Sequence, residues 1–307
     1  MRFIVTGGAG FIGSNLVEGL VELGDVTIID DLSSGNLDNL ELLLQRDDVS
    51  LERLSVTDFA EIKPHFEEID CVFHLAAVSN ISSSVADPLR TNEVNVKGTL
   101  NVLLAARDSG VRKVVYTSSA SVYGDIDEVP TTERALPNPP SPYAVTKLAG
   151  EYYCDVFSDL YGLETTSLRP FNVYGPKQDP HSQYAGVIPL FISSLLEGEA
   201  PMIDGDGEQT RDFVYVKDVV RAFIQAMDHR AKGVYNIAGG KGISINELFR
   251  QVSSIVDVDV EPLHGEPRAG DIRHSTADIT RAKEYLGYEP EYDIRRGLEE
   301  TIEWFSL

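Results

Sequence analysis

The regular alternation of strand-like and helix-like segments constrains the fold of this chain more than any other feature. Short runs rich in β-branched residues recur between amphipathic helical patterns from residue 2 to about residue 168. The runs are RFIV, DVTIID, CVFHLAA, KVVYTSS and TTSLRPF. Strands that alternate with helices form parallel sheets whose two faces are both covered. The pattern therefore predicts an α/β fold built on a doubly wound parallel sheet.

The C-terminal part of the chain has a different pattern. After Pro176 turn-forming residues become frequent, and the helices and strands between them are short. We predict one domain over residues 1–172 and a second, smaller one mainly over residues 173–307, with segments near residues 212–238 returning to the first. The sequence SINE, from Ser244 to Glu247, is typical of a capping box and predicts a helix start. Because no long linker is found, the two parts should pack around a cleft.

The charge balance excludes two classes of partner. The 307 residues include 49 Asp and Glu against 26 Lys and Arg, which gives a net charge of −23. Such a charge repels nucleic acid and anionic membranes, so neither is expected as a partner. The acidity suits a salt-rich cytosol and general solubility equally well.

The cysteines and the N-terminal segment favour a cytoplasmic protein. Cys71 lies in an apolar strand-like run and Cys154 in a helix-like one, which indicates two reduced core thiols rather than a disulfide. The first strand pattern starts at Arg2 and leaves no room for a signal peptide, and no apolar run approaches a membrane span. We therefore interpret the sequon at Asn80 as chance. No cluster of His, Cys and acidic residues has metal spacing, so no metal is predicted.

A glycine-rich turn follows the first strand pattern. Gly7, Gly10 and Gly13 in GGAGFIG stand directly before a helical pattern. Glycines let the backbone approach a pyrophosphate, and the helix N-terminus offers unpaired N–H groups. Asp30 closes the next strand, where its carboxylate suits ribose hydroxyls and repels a 2′-phosphate. Because DDLSSGN contains no Arg or Lys, NAD is favoured over NADP, and Asp31 could share the role of Asp30.

A serine-rich segment, a tyrosine and a lysine form the second motif. TSSASVYG contains Ser119, and SPYAVTK places Tyr143 four residues before Lys147. Positions i and i+4 share one face of a helix, so the phenol and the ammonium can approach the same point. A cation beside a tyrosine favours the phenolate and lowers a pKa that is about 10 in water. The motif therefore predicts a tyrosine that acts as a base.

Taken together, the motifs resemble the extended short-chain dehydrogenases/reductases, and specifically the UDP-glucose 4-epimerase branch. The resemblance covers nearly the whole chain and rests on VTGGAGFIGSNL, DDLSSGN, HLAA, NVKGTLNVL, TSSASVYG, SPYAVTKLAGE, RPFNVYGP, GDGEQTRDFVYVKDVV, GVYNIAGG and RAGDIRHSTAD. It implies a Rossmann domain that binds NAD, a smaller α/β C-terminal domain that binds a UDP-sugar substrate, and a homodimer. The implied dimer interface uses two helices, one leading into NVLLAARDSG and one carrying Tyr143 and Lys147.

The resemblance also implies roles for individual residues. Tyr143 takes the proton of the sugar 4-hydroxyl while C4 passes a hydride to the nicotinamide. Lys147 holds the nicotinamide ribose and, together with the positive charge of NAD, lowers the pKa of Tyr143. Ser119 hydrogen-bonds the 4-oxygen. Because the protein is so acidic, Arg211 and Arg268 are expected to bind the substrate phosphates.

The full sets implied by the resemblance are as follows. The NAD-binding residues are Gly7, Gly10, Phe11, Ile12, Gly13, Asp30, Asp31, Ser34, Gly35, Asp58, Leu75, Ala76, Ala77, Asn95, Tyr143 and Lys147. The substrate-binding residues are Ser119, Ser121, Asn172, Val187, Arg211, Arg268, Asp271 and Ser275.

Some positions depart from the family pattern. Ser55 replaces the acidic residue that often precedes the adenine contact, which leaves Asp58 as a cofactor contact or a plain helix cap. Pro170 replaces an aromatic residue near the nicotinamide. In the loop GPKQDPHSQ, Lys177 and His181 are either substrate contacts or exposed side chains.

The residues beside Ser119 indicate the reaction. Related dehydratases and decarboxylases carry acidic groups there, whereas this chain has Ala120 and Ser121. A 4-keto sugar would then have no route except re-reduction, which predicts C4 epimerisation with a tightly held NAD. In related epimerases the position of Ser275 borders the sugar 2-substituent, so the resemblance implies that this small residue leaves room for an N-acetyl group as well. The alternatives are a UDP-uronate 4-epimerase or another nucleotide-sugar epimerase or dehydratase, and an NAD-binding sensor without turnover.

Overall fold

The computed structural model describes residues 1–306 except 127, 180–185, 229 and 268–271. Within these ranges the strands are β1 Arg2–Thr6, β2 Asp25–Ile29, β3 Val49–Glu52, β4 Cys71–His74, β5 Lys113–Thr117, β6 Glu164–Pro170, β7 Val173–Tyr174, β8 Met202–Asp204, β9 Thr210–Asp212, β10 Val214–Tyr215, β11 Gly233–Ile237, β12 Gly242–Ser244, β13 Leu263–Gly265 and β14 His274–Ser275. The α-helices are α1 Phe11–Leu20, α2 Phe59–Ile62, α3 Ile81–Ala86, α4 Pro88–Asn92, α5 Gly98–Asp108, α6 Pro142–Tyr161, α7 Val187–Leu196, α8 Val216–Gln225, α9 Ile245–Val256, α10 Thr280–Leu286 and α11 Ile294–Phe305.

Seven strands form one parallel sheet in the order β3-β2-β1-β4-β5-β6-β11. The order reverses at β1, which pairs with β2 on one side and with β4 on the other. This is the strand order of a Rossmann fold extended by one strand, so the predicted fold class is confirmed. Ligands of such sheets bind at the carboxyl ends of the strands, beside the point where the order reverses.

Both faces of the sheet are apolar because helices cover both. On one face Phe3, Val5 and Phe73 pack with side chains of α1 and α8. On the other, Ile4 and Val72 pack with side chains of α5 and α6. Successive strand residues point to opposite faces, which explains why the strands read as continuous apolar runs.

The two cysteines lie on opposite faces of this sheet. Cys71 belongs to the core that contains α1, and Cys154 to the core that contains α6. Both are buried and unpaired, which confirms the prediction of two core thiols without a disulfide. Burial raises the pKa of Cys71 to about 12, so its thiol is unreactive at neutral pH.

A separate core lies beneath the C-terminal segments. Side chains of α7, α9 and α11 pack around Tyr174, Ile203 and Tyr215. Three small sheets accompany it: β7 pairs with β10, β8 with β13, and β9 with both β12 and β14. Ser244 caps α9 by accepting a hydrogen bond from the Glu247 N–H at 3.1 Å, as the sequence SINE predicts.

Part of the C-terminal half is built into the large sheet. β11 pairs with β6 over residues 233–237, and α8 contributes to the core beside α1. The division into domains at residue 172 stays a prediction. No helix among the described residues is long and apolar enough to cross a membrane.

Candidate active site

A cleft of about 820 Å³ lies at the carboxyl edge of the large sheet. It is bounded by the segments that follow each of the strands β1 to β6 and by residues of β9 and β14. The residues proposed from the sequence that line it are Gly7, Gly10, Phe11, Ile12, Gly13, Asp30, Asp31, Ser34, Gly35, Leu75, Ala76, Ala77, Ser119, Ser121, Tyr143, Lys147, Asn172, Arg211 and Ser275. The sheet therefore brings distant parts of the sequence together at one site.

The glycine-rich turn between β1 and α1 has a geometry that only glycine allows. Gly7 has a φ of 72°, and a Cβ atom there would lie 2.6 Å from the backbone nitrogen of Ala76. A Cβ atom on Gly13 would lie 2.2 Å from the carbonyl oxygen of Gly7. Gly10 precedes α1 and makes no side-chain cap, so nothing from the cap residue covers the first N–H groups of the helix. The turn thus fits the pyrophosphate of a dinucleotide.

Two adjacent carboxylates stand at the end of β2. Asp30 accepts hydrogen bonds from the N–H groups of Ala9 and Leu32, both at 2.9 Å. It therefore also supports the glycine-rich turn. Burial raises the pKa of Asp30 despite these bonds. For the adjacent Asp31, burial is outweighed by hydrogen bonds from Ser33 and Ser55 and by the charge of Arg90, and its pKa is lowered.

Helix α6 places Tyr143 in its first turn. Ser141 caps the helix by accepting a hydrogen bond from the Ala144 N–H at 3.2 Å, and Pro142 occupies the first helical position, where its missing N–H costs nothing. The N–H of Tyr143 donates to the Ser84 hydroxyl oxygen at 3.1 Å. The backbone that carries the phenol is therefore fixed from two sides.

Lys147 lies one helical turn further along α6. Its side chain is only 3% exposed, and its Nζ atom donates a 2.7 Å hydrogen bond to the carbonyl oxygen of Thr117. Burial lowers the pKa of Lys147 to about 7, and the negative charge of Glu151 opposes that shift. The Nζ atom lies 5.9 Å from the centre of the Tyr143 ring.

The protein surroundings shift the pKa of Tyr143 upward. Burial is the larger cause, and the interaction with the Ser119 side chain opposes it. The lowering expected from the sequence is therefore not produced by the protein groups alone. That expectation also depends on the positive charge of NAD, which attracts the phenolate in the same way as an ammonium does.

The turn after β5 supplies the serines. Ser119 precedes a short 3₁₀ helix over Ala120–Tyr123, and its Oγ atom accepts a hydrogen bond from the Ser121 N–H at 3.1 Å. The Ser121 Oγ atom is buried and has no hydrogen-bond partner among the described residues. It lines the cleft, so a ligand oxygen or nitrogen could satisfy it.

Three residues proposed to bind substrate form another wall of the cleft. The Asn172 side chain donates to the carbonyl oxygen of Asp212 at 2.9 Å. Arg211 on β9 stands in register with Ser275 on β14, so the two residues are neighbours. Val187 lies instead in an adjoining cavity of about 350 Å³ that shares Asn172 and Arg211. Arg268, Asp271 and His181 fall outside the described residues.

Two proposed cofactor contacts, Asp58 and Asn95, do not line the cleft. Asp58 caps α2 by accepting from the N–H groups of Ala60 and Glu61 at 3.1 and 3.3 Å, which matches the alternative of a plain helix cap. Asn95 is buried and bonds both backbone groups of Val78, so it holds a wall of the cleft.

Lys177 also has a role other than the expected one. Its Nζ atom lies 2.6 Å from a carboxylate oxygen of Glu18 and donates to the carbonyl oxygen of Asn39 at 3.1 Å. The side chain therefore braces its loop against α1, which corrects the expectation of a substrate contact or an exposed lysine.

Several lining residues were missed by the sequence reasoning. They are Ile29, Ser33, Leu54, Val56, Val78, Ser79, Asn80, Ile81, Ser83, Arg90, Val94, Thr117, Ser118, Phe171, Val173 and Ile272. Leu54 and Val56 flank Ser55, the position where the sequence departs from the family pattern, so an apolar wall was predictable there. Arg90 on α4 carries no local signal, because its guanidinium reaches the site only through the fold, 3.8 Å from Asp31. Among the described residues no group of three or more His, Cys, Asp or Glu could hold a metal ion.

Residues 3–238 match the model of the NAD dependent epimerase/dehydratase family. The chain belongs to this family. NAD is its cofactor, and the fit of the glycine-rich turn and Asp30 described above agrees with that assignment.

Similar proteins of this epimerase/dehydratase family cover the whole chain. A UDP-glucose 4-epimerase of Mycolicibacterium smegmatis is 43% identical over 99% of this chain and 98% of its own length. A UDP-glucose 4-epimerase of Thermotoga maritima, solved with UDP-glucose, is 42% identical with a TM-score of 0.94 and covers 100% of this chain and 99% of its own. A UDP-N-acetylglucosamine 4-epimerase of Methanobrevibacter ruminantium, in complex with UDP-N-acetylmuramic acid, is 41% identical with a TM-score of 0.96. It covers 99% of this chain and 98% of its own.

Proposed function

We propose that this protein interconverts the C4 epimers of UDP-hexoses, using NAD as a cofactor that each turnover regenerates. The observation that carries the proposal is the placement of Ser119, Tyr143 and Lys147 in one cleft, opposite a turn that fits a dinucleotide. The similar proteins named above support UDP as the nucleotide.

The protein residues have separate tasks in this reaction. Tyr143 takes the proton of the sugar 4-hydroxyl and returns it at the end, while Ser119 hydrogen-bonds the same oxygen. Lys147, held by Thr117, supplies the positive charge that favours the phenolate. NAD, when bound, accepts the hydride from C4 and gives it back. Return of the hydride to the other face of a reoriented 4-keto sugar yields the epimer.

Elimination and decarboxylation fit the site less well, since both need additional acid or base groups. Asp30 and Asp31 are the only carboxylates among the described residues that line the cleft. They follow β2, whereas Ser119 follows β5, and β1 and β4 separate these strands. Three strand spacings are about 14 Å, so neither carboxylate is placed to act at the sugar.

A UDP-uronate 4-epimerase is the second candidate, because it would use the same three catalytic residues. A uronate carries a carboxylate that a nearby cation would stabilise. The described cations that line the cleft are Arg90, Lys147 and Arg211. Lys147 is bonded to Thr117 and Arg90 faces Asp31, and we assign Arg211 to the substrate diphosphate. The described residues therefore favour an uncharged hexose.

The sugar range is proposed to include N-acetylated hexoses. Ser275 is small and lines the cleft beside Arg211. The identification of Ser275 with the wall next to the sugar 2-substituent comes from the family resemblance. The similar UDP-N-acetylglucosamine 4-epimerase supports this extension.

We further propose a homodimer formed through α6. Val145, Tyr152, Val156 and Leu160 are 45–72% exposed and recur at the spacing of one helical face. Leu89 on the nearby α4 is 83% exposed. A contiguous apolar face of this kind favours a protein contact. The two buried free thiols support a reducing compartment, the cytoplasm.

The experiment is incubation of the purified protein with UDP-galactose without added NAD, followed by NMR of the sugar signals. We expect UDP-glucose to form, because the cofactor remains bound. A panel with UDP-N-acetylgalactosamine and UDP-galacturonate tests the sugar range. Bound NAD without conversion of any UDP-sugar would contradict the epimerase proposal and favour a sensor.

A further inference from the structure

A buried ion pair lies directly beneath the catalytic residues. Glu151 on α6 is 2% exposed and forms two hydrogen bonds with Arg169 on β6, from Nε at 2.7 Å and from Nη2 at 2.6 Å. The side chains of both residues are almost completely excluded from solvent. Removing either partner of such a pair leaves an uncompensated buried charge, so the pair is held in one geometry.

The same carboxylate also binds the strand end that carries the catalytic serine. The Ser118 hydroxyl donates a short hydrogen bond to the Oε1 atom of Glu151. Ser118 immediately precedes Ser119, so its side chain and the catalytic hydroxyl are set by the same few backbone angles. Glu151 therefore ties helix α6, which carries Tyr143, to the turn that carries Ser119.

Glu151 also lies four residues after Lys147, on the same face of α6. Lys147 is buried and donates to the carbonyl oxygen of Thr117, which carries no formal charge. Among the causes that act on the Lys147 pKa, Glu151 is the one that favours the charged ammonium. The carboxylate is thus placed to hold the positive charge on which the tyrosine depends.

We propose that Glu151 is a positioning residue for the acid/base step: it fixes Ser119 through Ser118 and places a carboxylate one helical turn from Lys147. The inference rests on the proposed epimerase function. It adds a residue that touches neither the sugar nor the cofactor, since Glu151 does not line the cleft. Arg169 lies in turn over the Tyr123 ring, with its guanidinium carbon 4.6 Å from the ring centre, so the ion pair is continuous with the turn after Ser119.

Several other titratable groups face this centre. They are Tyr143, Lys147, Cys154 and Asp155 on α6, His74 on β4, Tyr116 on β5, Arg169 on β6, and Tyr123 with Glu133 beyond it. Burial raises the pKa values of Tyr116, Tyr123 and Cys154, so these three stay neutral between pH 6 and about 9. Burial also raises the pKa values of Asp155 and Glu133. An effect of substituting Glu151 on the pH profile is therefore read most directly at Lys147.

The test compares kcat and KM for UDP-galactose between about pH 6 and pH 9 in several variants. Glu151→Gln keeps the shape of the side chain and removes its charge, and Ser118→Ala removes only the hydroxyl. Glu299→Gln, at an exposed position of α11, is the matched control for loss of one carboxylate. Circular dichroism and the content of bound NAD show whether each variant is folded.

For Glu151→Gln we expect kcat to fall roughly tenfold to a hundredfold, the usual cost of a small misplacement of catalytic groups. KM should change little, because Glu151 does not contact substrate. The alkaline limb of the kcat profile should move to lower pH, since Lys147 loses its proton more easily. Ser118→Ala should lower kcat without moving that limb, and Glu299→Gln should match the wild type.

A folded Glu151→Gln variant with wild-type kcat and an unmoved alkaline limb would overturn the inference. If that variant does not fold, Glu151→Asp and Ser118→Ala decide: wild-type kcat and pH profiles in both would overturn it equally. An inactive wild-type protein would instead reject the proposed function, so the two failures are distinguishable.

Discussion

The Nζ atom of Lys147 lies 2.7 Å from the backbone carbonyl oxygen of Thr117. This hydrogen bond joins the catalytic helix α6 to the last residue of β5, two positions before Ser119. The approach is close because Gly150 faces Tyr116, where a Cβ atom would lie 2.2 Å from the tyrosine hydroxyl oxygen. The lysine and the serine are therefore placed by the same strand end, and Tyr143 by the helix that packs on it.

The first prediction concerns the phenol. Tyr143→Phe should reduce turnover of UDP-galactose by roughly two to four powers of ten, the usual contribution of a positioned acid/base group. NAD and UDP binding should be nearly unchanged, because the N–H bond to Ser84 involves the backbone. Steady-state kinetics and calorimetric titration with UDP measure both effects. Tyr285→Phe, at an exposed site on α10, is the control, and retention of most activity in Tyr143→Phe would reject the role.

The second prediction concerns two buried lysines. Burial lowers the pKa of Lys147 to about 7 and that of Lys113 to about 8. In protein freed of cofactor and labelled with carbon-13 at the lysine ε position, two NMR signals should titrate near these values, well below the value of about 10.4 for a lysine in water. Lys147→Met and Lys113→Met assign them. Titration of both signals near the value of a lysine in water would contradict the burial argument.

These shifts also fix a direction for stability. Both folded pKa values lie below the unfolded value, so between about pH 7 and pH 10 the unfolded state binds more protons. The contribution of the two lysines to the free energy of unfolding should therefore rise with pH across this window. Denaturant unfolding measures the free energy of unfolding of the wild type and of Lys113→Met at pH 7 and pH 9. The increase from pH 7 to pH 9 should be smaller in the variant. An equal gain in both would contradict the assignment to Lys113.

The third prediction concerns cofactor choice. Asp31→Asn should narrow the preference for NAD over NADP roughly tenfold, because a partly screened like charge near the 2′-phosphate is removed while Arg90 remains. When Arg90→Ala is added to Asp31→Asn, most of this improvement in NADP binding relative to NAD should be lost. Asp30→Ala should weaken the binding of NAD, since Asp30 supports the glycine-rich turn. It should also narrow the preference for NAD over NADP. Asp25→Asn, at the exposed start of β2, is the control, and an unchanged preference in Asp31→Asn would contradict the account.

The fourth prediction concerns the sugar. Ser275→Tyr should depress turnover of the N-acetylated pair selectively, by roughly tenfold to a hundredfold, because a large side chain crowds an acetamido group. Ser275→Ala, which keeps the space, should have little effect on either pair. Competition between UDP-galactose and UDP-N-acetylgalactosamine measures the ratio. A wild type inert toward the N-acetyl sugars, or a variant equally impaired on both, would contradict the role of Ser275.

The sequence predicts the features that depend on local pattern. The runs RFIV, DVTIID, CVFHLAA, KVVYTSS and TTSLRPF correspond to β1, β2, β4, β5 and β6, because strands covered on both faces are continuously apolar. The run VSLE of β3 was not predicted as a strand. It is short and lies at the edge of the sheet, where alternate polar residues are tolerated and the apolar pattern is weak.

The features missed from the sequence depend on contacts between distant segments. Lys177 pairs with Glu18, 159 residues away, and Arg90 reaches Asp31 only because α4 lies beside the end of β2. The upward shift of the Tyr143 pKa likewise follows from burial, which a motif does not report. Glycines with steric requirements and an i, i+4 pair are local features that a motif reports, and the structure brings both to the same cleft.

The central claim is that the hydride leaves C4 of the sugar and returns to the same carbon on its other face. The most direct test is incubation of the enzyme with UDP-galactose deuterated at C4, in ordinary water and without added NAD, followed by NMR and mass spectrometry of the UDP-glucose formed. We predict that the product retains deuterium at C4, because the bound cofactor returns the transferred deuterium to that carbon without exchange with water. Loss of the deuterium to solvent, or no epimer at all, would contradict the account.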